Sequence, residues 1–216
     1  MSELVFYHSP NTRSTGTRVL LEELGAPHTL HALDMKAGEQ REAAYLAVNP
    51  MGKVPAIRHD GALVTEQVAV YLYLADLFPA AGLAPPIGDP LRGPYLRWFA
   101  YYGSCFEPAM VDKAMKREAA PAAMSPYGDF DTVVKVVADQ VRPGPWFLGE
   151  RFTALDVLWG GAISWMMMFD LAPKLPEFEA YVARVRARPA HARVEVLEKE
   201  LAAKQEAARG PADAGA

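Results

Sequence analysis

The chain has 216 residues, 51% of them hydrophobic and 22% charged, with a formal net charge of −4. That length supports one or two domains with a sizeable core. Charges of both signs are mixed along it, which leaves no basic field for a phosphate backbone and argues against a nucleic-acid partner. The single cysteine, Cys105, excludes an internal disulfide and argues against a cysteine-based metal cluster.

In chain order, Leu4-Val5-Phe6-Tyr7 reads as a short apolar strand. It lacks the charged start and long apolar run of a secretory signal, so a cytoplasmic protein is expected. The polar stretch Ser9-Pro10-Asn11-Thr12-Arg13-Ser14 follows. Val19, Leu20, Leu21 and Leu24 then form a helical stripe that stops at Gly25, with Pro27 beyond it. His28 to Leu33 reads as a second strand and Glu39 to Leu46 as a short, weak helix. Val54–Arg58 and Ala62–Val64 are two strands joined by the hairpin signal His59-Asp60-Gly61. Glu66 to Phe78 is a helix. The order β-α-β-α-β-β-α implies a mixed four-stranded sheet, parallel at its first pair and antiparallel at the hairpin, with helices on its faces.

Residues 80–89 are rich in proline, glycine and alanine and read as a linker. Beyond them only helices are expected. Leu91 to about Arg117 is interrupted near Gly103 and Pro108; Phe130–Val141, Thr153–Leu171, Phe178–Arg186 and Ala190–Ala207 follow. The Thr153 helix is apolar around most of its circumference and should be the buried centre of an all-α region at 90–207. Its run Trp165-Met166-Met167-Met168-Phe169 falls short of the roughly 20 residues that cross a bilayer. Thr153 and Asp156 form a capping box, with Phe152 and Val157 as its hydrophobic staple. The tail 208–216 is small and polar and is expected to fray.

The segment Asn49-Pro50-Met51-Gly52-Lys53-Val54-Pro55-Ala56-Ile57 is a turn, then a residue held extended before a proline, then a strand. Thr65-Glu66-Gln67 opens the next helix. Main-chain amides and carbonyls beside a helix N-terminus suit a small peptide-like ligand that carries carboxylates.

These segments, with Tyr71-Leu72-Tyr73-Leu74-Ala75-Asp76 and Phe152-Thr153-Ala154-Leu155-Asp156, resemble the cytosolic glutathione S-transferases, bacterial members included, over about residues 4–205. The resemblance implies a thioredoxin-like N-terminal domain at 1–79, an all-helical C-terminal domain and a homodimer. It implies glutathione as co-substrate, a small hydrophobic electrophile as second substrate, and no metal, membrane or nucleic acid. It further implies a cis bond before Pro55, with the Val54 main chain pairing with the cysteinyl part of glutathione. Glu66 and Gln67 would receive the γ-glutamyl group; Gln67 stands where many members have Ser or Thr. Lys53, helped by Arg41, would reach the glycyl carboxylate.

Catalysis in this family lowers the pKa of the glutathione thiol, which is near 8.5 when free. The loop after the first strand should carry the donor. Ser9-Pro10-Asn11 resembles the Thr-Pro-Asn segment of bacterial members in which short polar side chains contact sulfur. Arg13 stands where another bacterial branch has cysteine, and Ser14 lies near the serine of further branches. Asn11 therefore leads, then Ser9, then Ser14 and Arg13, with Tyr7 last. Ser9 and Asn11 also suit a helix cap or turn. The second substrate is expected in the region of Trp98, Tyr101, Tyr102, Phe106 and Met110, a stripe that equally suits a helix core. Cys105 reads as a small buried hydrophobe, and the histidines show no metal-ligand spacing. Two alternatives stand beside transfer to an electrophile: glutathione-dependent disulfide reduction, and a non-catalytic binding or regulatory module on the same fold.

Overall fold

The computed structural model describes residues 3–210, so most of the tail expected at 208–216 lies outside the described residues. The elements are β1 (Leu4–His8), α1 (Ser14–Leu24), β2 (Thr29–Ala32), a 3-10 turn at Glu39–Arg41, α2 (Ala43–Leu46), β3 (Ala56–His59), β4 (Ala62–Val64), α3 (Gln67–Leu77), α4 (Arg92–Tyr101), α5 (Glu107–Ala114), α6 (Phe130–Val141), α7 (Ala154–Met168), α8 (Pro176–Arg186) and α9 (Pro189–Arg209). They form two compact units. Residues up to Ala81, together with those from Pro189 onward, make the first; Gly82–Arg188 make the second. The last helix, grouped by its sequence with the all-α region, thus lies in the thioredoxin-like unit.

In the first unit the strand order is β2-β1-β3-β4. The parallel β1–β2 pair and the antiparallel β3–β4 hairpin are those the element order implied; the β1–β3 pair between them is antiparallel. His59 pairs with Ala62 across Asp60-Gly61, whose φ values of 47° and 85° are those of a two-residue hairpin turn with the twist strands prefer. Alternation along β1 sends Phe6 and Tyr7 to opposite faces. Phe6 is fully buried. Tyr7 joins Leu33, Tyr45, Val54 and Ala56 in a separate cluster, which accounts for it as packing. α1 packs on β1 and α3, and α9 packs on α1. The α1–α3 approach depends on Gly16, where a Cβ would lie 2.5 Å from the Tyr71 hydroxyl oxygen.

Two of the boundary differences bear on the candidate site. The helix expected over 39–46 breaks at Glu42, which is extended with φ −72° and ψ 149°. β3 starts at Ala56 instead of Val54, because Pro55 has no N–H to give the ladder.

In the second unit, α4 and α5 are joined by a π-helical turn at Tyr102–Phe106, and Pro108 falls in the first turn of α5, where no intrahelical N–H is required. Fully buried Trp159 of α7 is the hub. The rings of Trp98, Tyr102, Phe106 and Phe147 lie 5.8, 5.6, 4.9 and 4.9 Å from it. Trp98, Tyr102, Phe106 and Met110, expected to face a second substrate, are instead core residues, each at most 6% exposed. A stripe of that hydrophobicity is buried by its own domain before a ligand can use it. Tyr101 alone of that group is half-buried. Cys105 is also half-buried rather than buried, with its sulfur 3.7 Å from the Pro126 carbonyl oxygen.

Asp156 caps α7 as expected. Its carboxylate accepts from the Thr153 N–H at 2.8 Å, and also from the Phe147 N–H at 2.6 Å and the Tyr181 hydroxyl at 2.9 Å. Residues 82–89 are tied down by Arg151, which pairs with Asp89 and donates to the carbonyls of Gly82 and Ala84. Among the described residues, no helix is long and apolar enough to cross a membrane.

Candidate functional site

The loop from β1 to α1 is knotted around Ser14. Its hydroxyl, fully buried, lies 2.8 Å from His8 Nδ1, 2.7 Å from Thr12 Oγ1 and 3.1 Å from the Ser9 carbonyl oxygen, and it accepts from the Ser9 N–H at 3.2 Å. The Thr12 hydroxyl donates to the same Ser9 carbonyl at 2.7 Å. Ser9 is itself buried. This knot pushes Asn11 outward: it is exposed, with a left-handed φ of 58°. Asparagine is one of the few residues whose short side chain tolerates that conformation. Arg13, also exposed, is the N-cap of α1.

The loop is anchored by a residue the sequence reading missed. Glu198 of α9 lies 2.8 Å from His8 Nε2. It accepts from the Arg18 guanidinium at 2.9 Å, the Thr15 hydroxyl at 2.5 Å and the Asn11 N–H at 3.4 Å. Burial pushes its carboxyl pKa up. The hydrogen bond and charge of His8, with the bonds from Thr15 and Arg18, outweigh that and hold it near 2. A signal was present. The buried residues of α9 are Ala190, Val194 and Glu198, so an acid occupies the next place on an apolar i, i+4 stripe.

The second loop is built around Asn49 and Tyr45. The Tyr45 hydroxyl and the Asn49 side-chain amide both donate to the Lys53 carbonyl, at 2.7 and 2.9 Å. Burial pushes the Tyr45 hydroxyl up to about 12, against a smaller opposing effect of Asn49, so it stays a donor. Asn49 also takes the Met51 N–H on its side chain at 3.1 Å and the Gly52 N–H on its carbonyl at 2.8 Å. Gly52 has φ 58°, and a Cβ there would meet the Gln40 carbonyl oxygen at 2.6 Å and Arg41 Nη1 at 3.0 Å. Arg41 in turn donates to the Met51 carbonyl at 3.4 Å. Arg41 thus sits against the turn that presents the exposed Lys53. The Val54–Pro55 bond that follows is cis.

The third element is the start of α3. Glu66 is its N-cap, with φ 63° and ψ 119° and an exposed side chain. A glutamate in that region costs on the order of 1–3 kcal/mol, a strain that clusters at ligand sites. Its neighbour Gln67 donates from Nε2 to the Arg13 carbonyl at 3.3 Å. That bond joins the α3 N-terminus to the loop that carries Asn11. The register Tyr7↔Ala56 brings the end of β1 beside the Val54–Pro55 bend. Asn11, Ser9, Arg13, Gln67, Glu66, Val54 and Pro55 therefore come from three elements of one unit, with Lys53 and Arg41 at the outer end of the bend. Ser9 and Ser14 are the buried members of the loop that carries Asn11. No group of His, Cys, Asp and Glu able to hold a metal occurs among the described residues.

Residues 11–77 match the family described as glutathione S-transferase, N-terminal domain. The glutathione S-transferase GstA of Escherichia coli O157:H7 is 28% identical over 188 residues, 85% of this chain and 92% of that protein. A glutathione transferase from Methylococcus capsulatus superposes with a TM-score of 0.77 at 29% identity, covering 91% of this chain and 99% of that one. A sphingomonad glutathione S-transferase solved with glutathione superposes with a TM-score of 0.75 at 27% identity, covering 90% and 98%. Residues 11–77 thus carry the glutathione S-transferase N-terminal domain, and over most of its length the chain is similar to glutathione S-transferases.

Proposed function

We propose that the protein is a glutathione transferase that binds glutathione, stabilises its thiolate and adds it to a hydrophobic electrophile. The observation that carries this reading is the convergence, within one compact unit, of the cis Val54–Pro55 bend, the α3 start at Glu66–Gln67 and the Asn11 loop. In this reading the Val54 main chain pairs with the cysteinyl residue as an added strand would. The α3 N-terminal amides and dipole receive the γ-glutamyl carboxylate, and the Glu66 side chain meets the ammonium. Lys53 and Arg41 receive the glycyl carboxylate.

Asn11 donates its side-chain N–H to sulfur, with Ser9 and Arg13 contributing from the same loop. One hydrogen bond to an ionised acceptor is strong enough to lower a thiol pKa by about one unit, or about 1.4 kcal/mol. Ser14 acts by holding the loop. The glutathione bound in the sphingomonad relative supports the co-substrate; a homodimer belongs to the same reading.

Turnover tests the reading. An activated aryl halide should be consumed with glutathione, forming the thioether and releasing halide. A glutathione-linked disulfide tests the reductase alternative, which Ser9-Pro10-Asn11 without a cysteine suggests, and it should be reduced more slowly. Faster turnover of the disulfide would establish the reductase reading instead, and turnover of neither would reduce the protein to a binding module.

A further inference from the structure

The loop that ends in Arg41 is fastened from the far end of the chain. The Asp34 side chain, largely buried, accepts from the N–H groups of Lys36 and Ala37 at 3.0 and 3.1 Å through Oδ1. Its Oδ2 accepts from Arg209, in the last turn of α9. Glu39 closes the same loop from the other side. Its carboxylate accepts from the Asp34 N–H at 2.6 Å, and its own N–H donates to the Asp34 carbonyl at 3.2 Å. Gln205, one turn before Arg209, donates to the Leu33 carbonyl at 3.1 Å. Two acids thus fold residues 34–41, and Arg209 pairs with one of them, Asp34, at 16% side-chain exposure. The loop delivers Arg41 to the Met51 carbonyl and the Gln40 carbonyl to the face of Gly52, one residue before Lys53.

From this chain of contacts we infer that Arg209 is a positioning residue for the glycyl end of glutathione, acting through Asp34 on the loop that places Arg41 beside Lys53. The inference rests on the glutathione reading above. Arg209 touches no atom of the proposed ligand, and its effect reaches only one end of it. A partly buried ion pair of this kind is worth about 1 kcal/mol, which corresponds to about a fivefold change in affinity.

Calorimetric titration of the full chain with glutathione and with γ-glutamylcysteine, which lacks the glycyl residue, tests it. Arg209→Ala should bind glutathione about fivefold more weakly than the wild type while binding γ-glutamylcysteine equally well, and Arg209→Lys should recover most of the loss. Hydrogen exchange at the amides of residues 35–41 should quicken in Arg209→Ala, whatever ligand is present. Equal weakening of both ligands would make Arg209 a general structural residue and overturn the inference. So would unchanged binding of both, or unchanged exchange at 35–41. Absence of glutathione binding to the wild type would overturn the underlying assignment as well, whereas a wild type that binds and a variant that matches it would overturn this inference alone.

Discussion

Glu198 Oε1 lies 2.8 Å from His8 Nε2, so a helix near the end of the chain is joined to the last residue of the first strand. The same carboxylate takes the Asn11 N–H. Removing it leaves His8, Thr15 and Arg18 without the acceptor they share. Glu198→Ala should lower unfolding free energy at pH 7 by about 1–3 kcal/mol, read by chemical denaturation. The sign with pH follows from the depressed carboxyl. A group held near 2 when folded and near 4.5 when unfolded binds more protons in the unfolded chain, so its stabilisation is present above 4.5 and is lost as pH falls toward 2. Glu198→Gln should flatten that acid limb.

Gly16 and Tyr71 form a contact with no room for a methyl group. Gly16→Ala should destabilise the protein by about 1–3 kcal/mol, since the obstructing ring is fully buried and cannot swing away. Tyr71→Phe removes the atom in the way. Added to Gly16→Ala it should cost less than it does alone, a favourable coupling measurable in a double-mutant cycle. Additive losses would mean that α1 and α3 separate freely at this point.

Asp156 behaves oppositely to Glu198. Burial raises its carboxyl to about 6 despite bonds from the Phe147 and Thr153 amides and the Tyr181 hydroxyl. The folded state therefore binds more protons between about 4 and 6. The stability Asp156 contributes is full below its unfolded value of 3.8 and is lost as pH rises through 6. The difference between wild type and Asp156→Asn should shrink over that window by at most about 3 kcal/mol, seen in denaturation midpoints from pH 4 to 7. A difference that stays constant with pH would show that the cap does not titrate there.

Asn11→Ala removes no packed side chain, since Asn11 is exposed, but its left-handed φ should cost about 1 kcal/mol of stability; it should also raise the pKa of bound glutathione by about one unit, seen as thiolate absorbance against pH. Turnover at neutral pH should fall about tenfold and recover at alkaline pH. Ser14→Ala should act differently. Loss of a fully buried hydroxyl with four neighbours lowers stability first.

Much of this architecture was legible in local patterns. The hairpin at Asp60-Gly61, the stop at Gly25, the capping box at Thr153 and Asp156, and the order of strands and helices are short-range features, and each appears in the structure. What escaped was set by distant contacts. Glu198 and Arg209 act on loops more than 170 positions away in the chain, and nothing next to them in sequence names those partners. The aromatic stripe from Trp98 to Met110 was visible, but whether it faces a ligand or Trp159 depends on a helix 50 residues downstream. The positive φ of Glu66 was likewise hidden, since glutamate carries no local preference for it.

The most direct test is a crystal structure with glutathione at saturating concentration. The account predicts the cysteinyl main chain against Val54, the γ-glutamyl carboxylate at the amides of Glu66 and Gln67, and the sulfur facing the Asn11 side chain. Glutathione lying elsewhere on the protein, or a sulfur turned away from the Ser9–Arg13 loop, would contradict it.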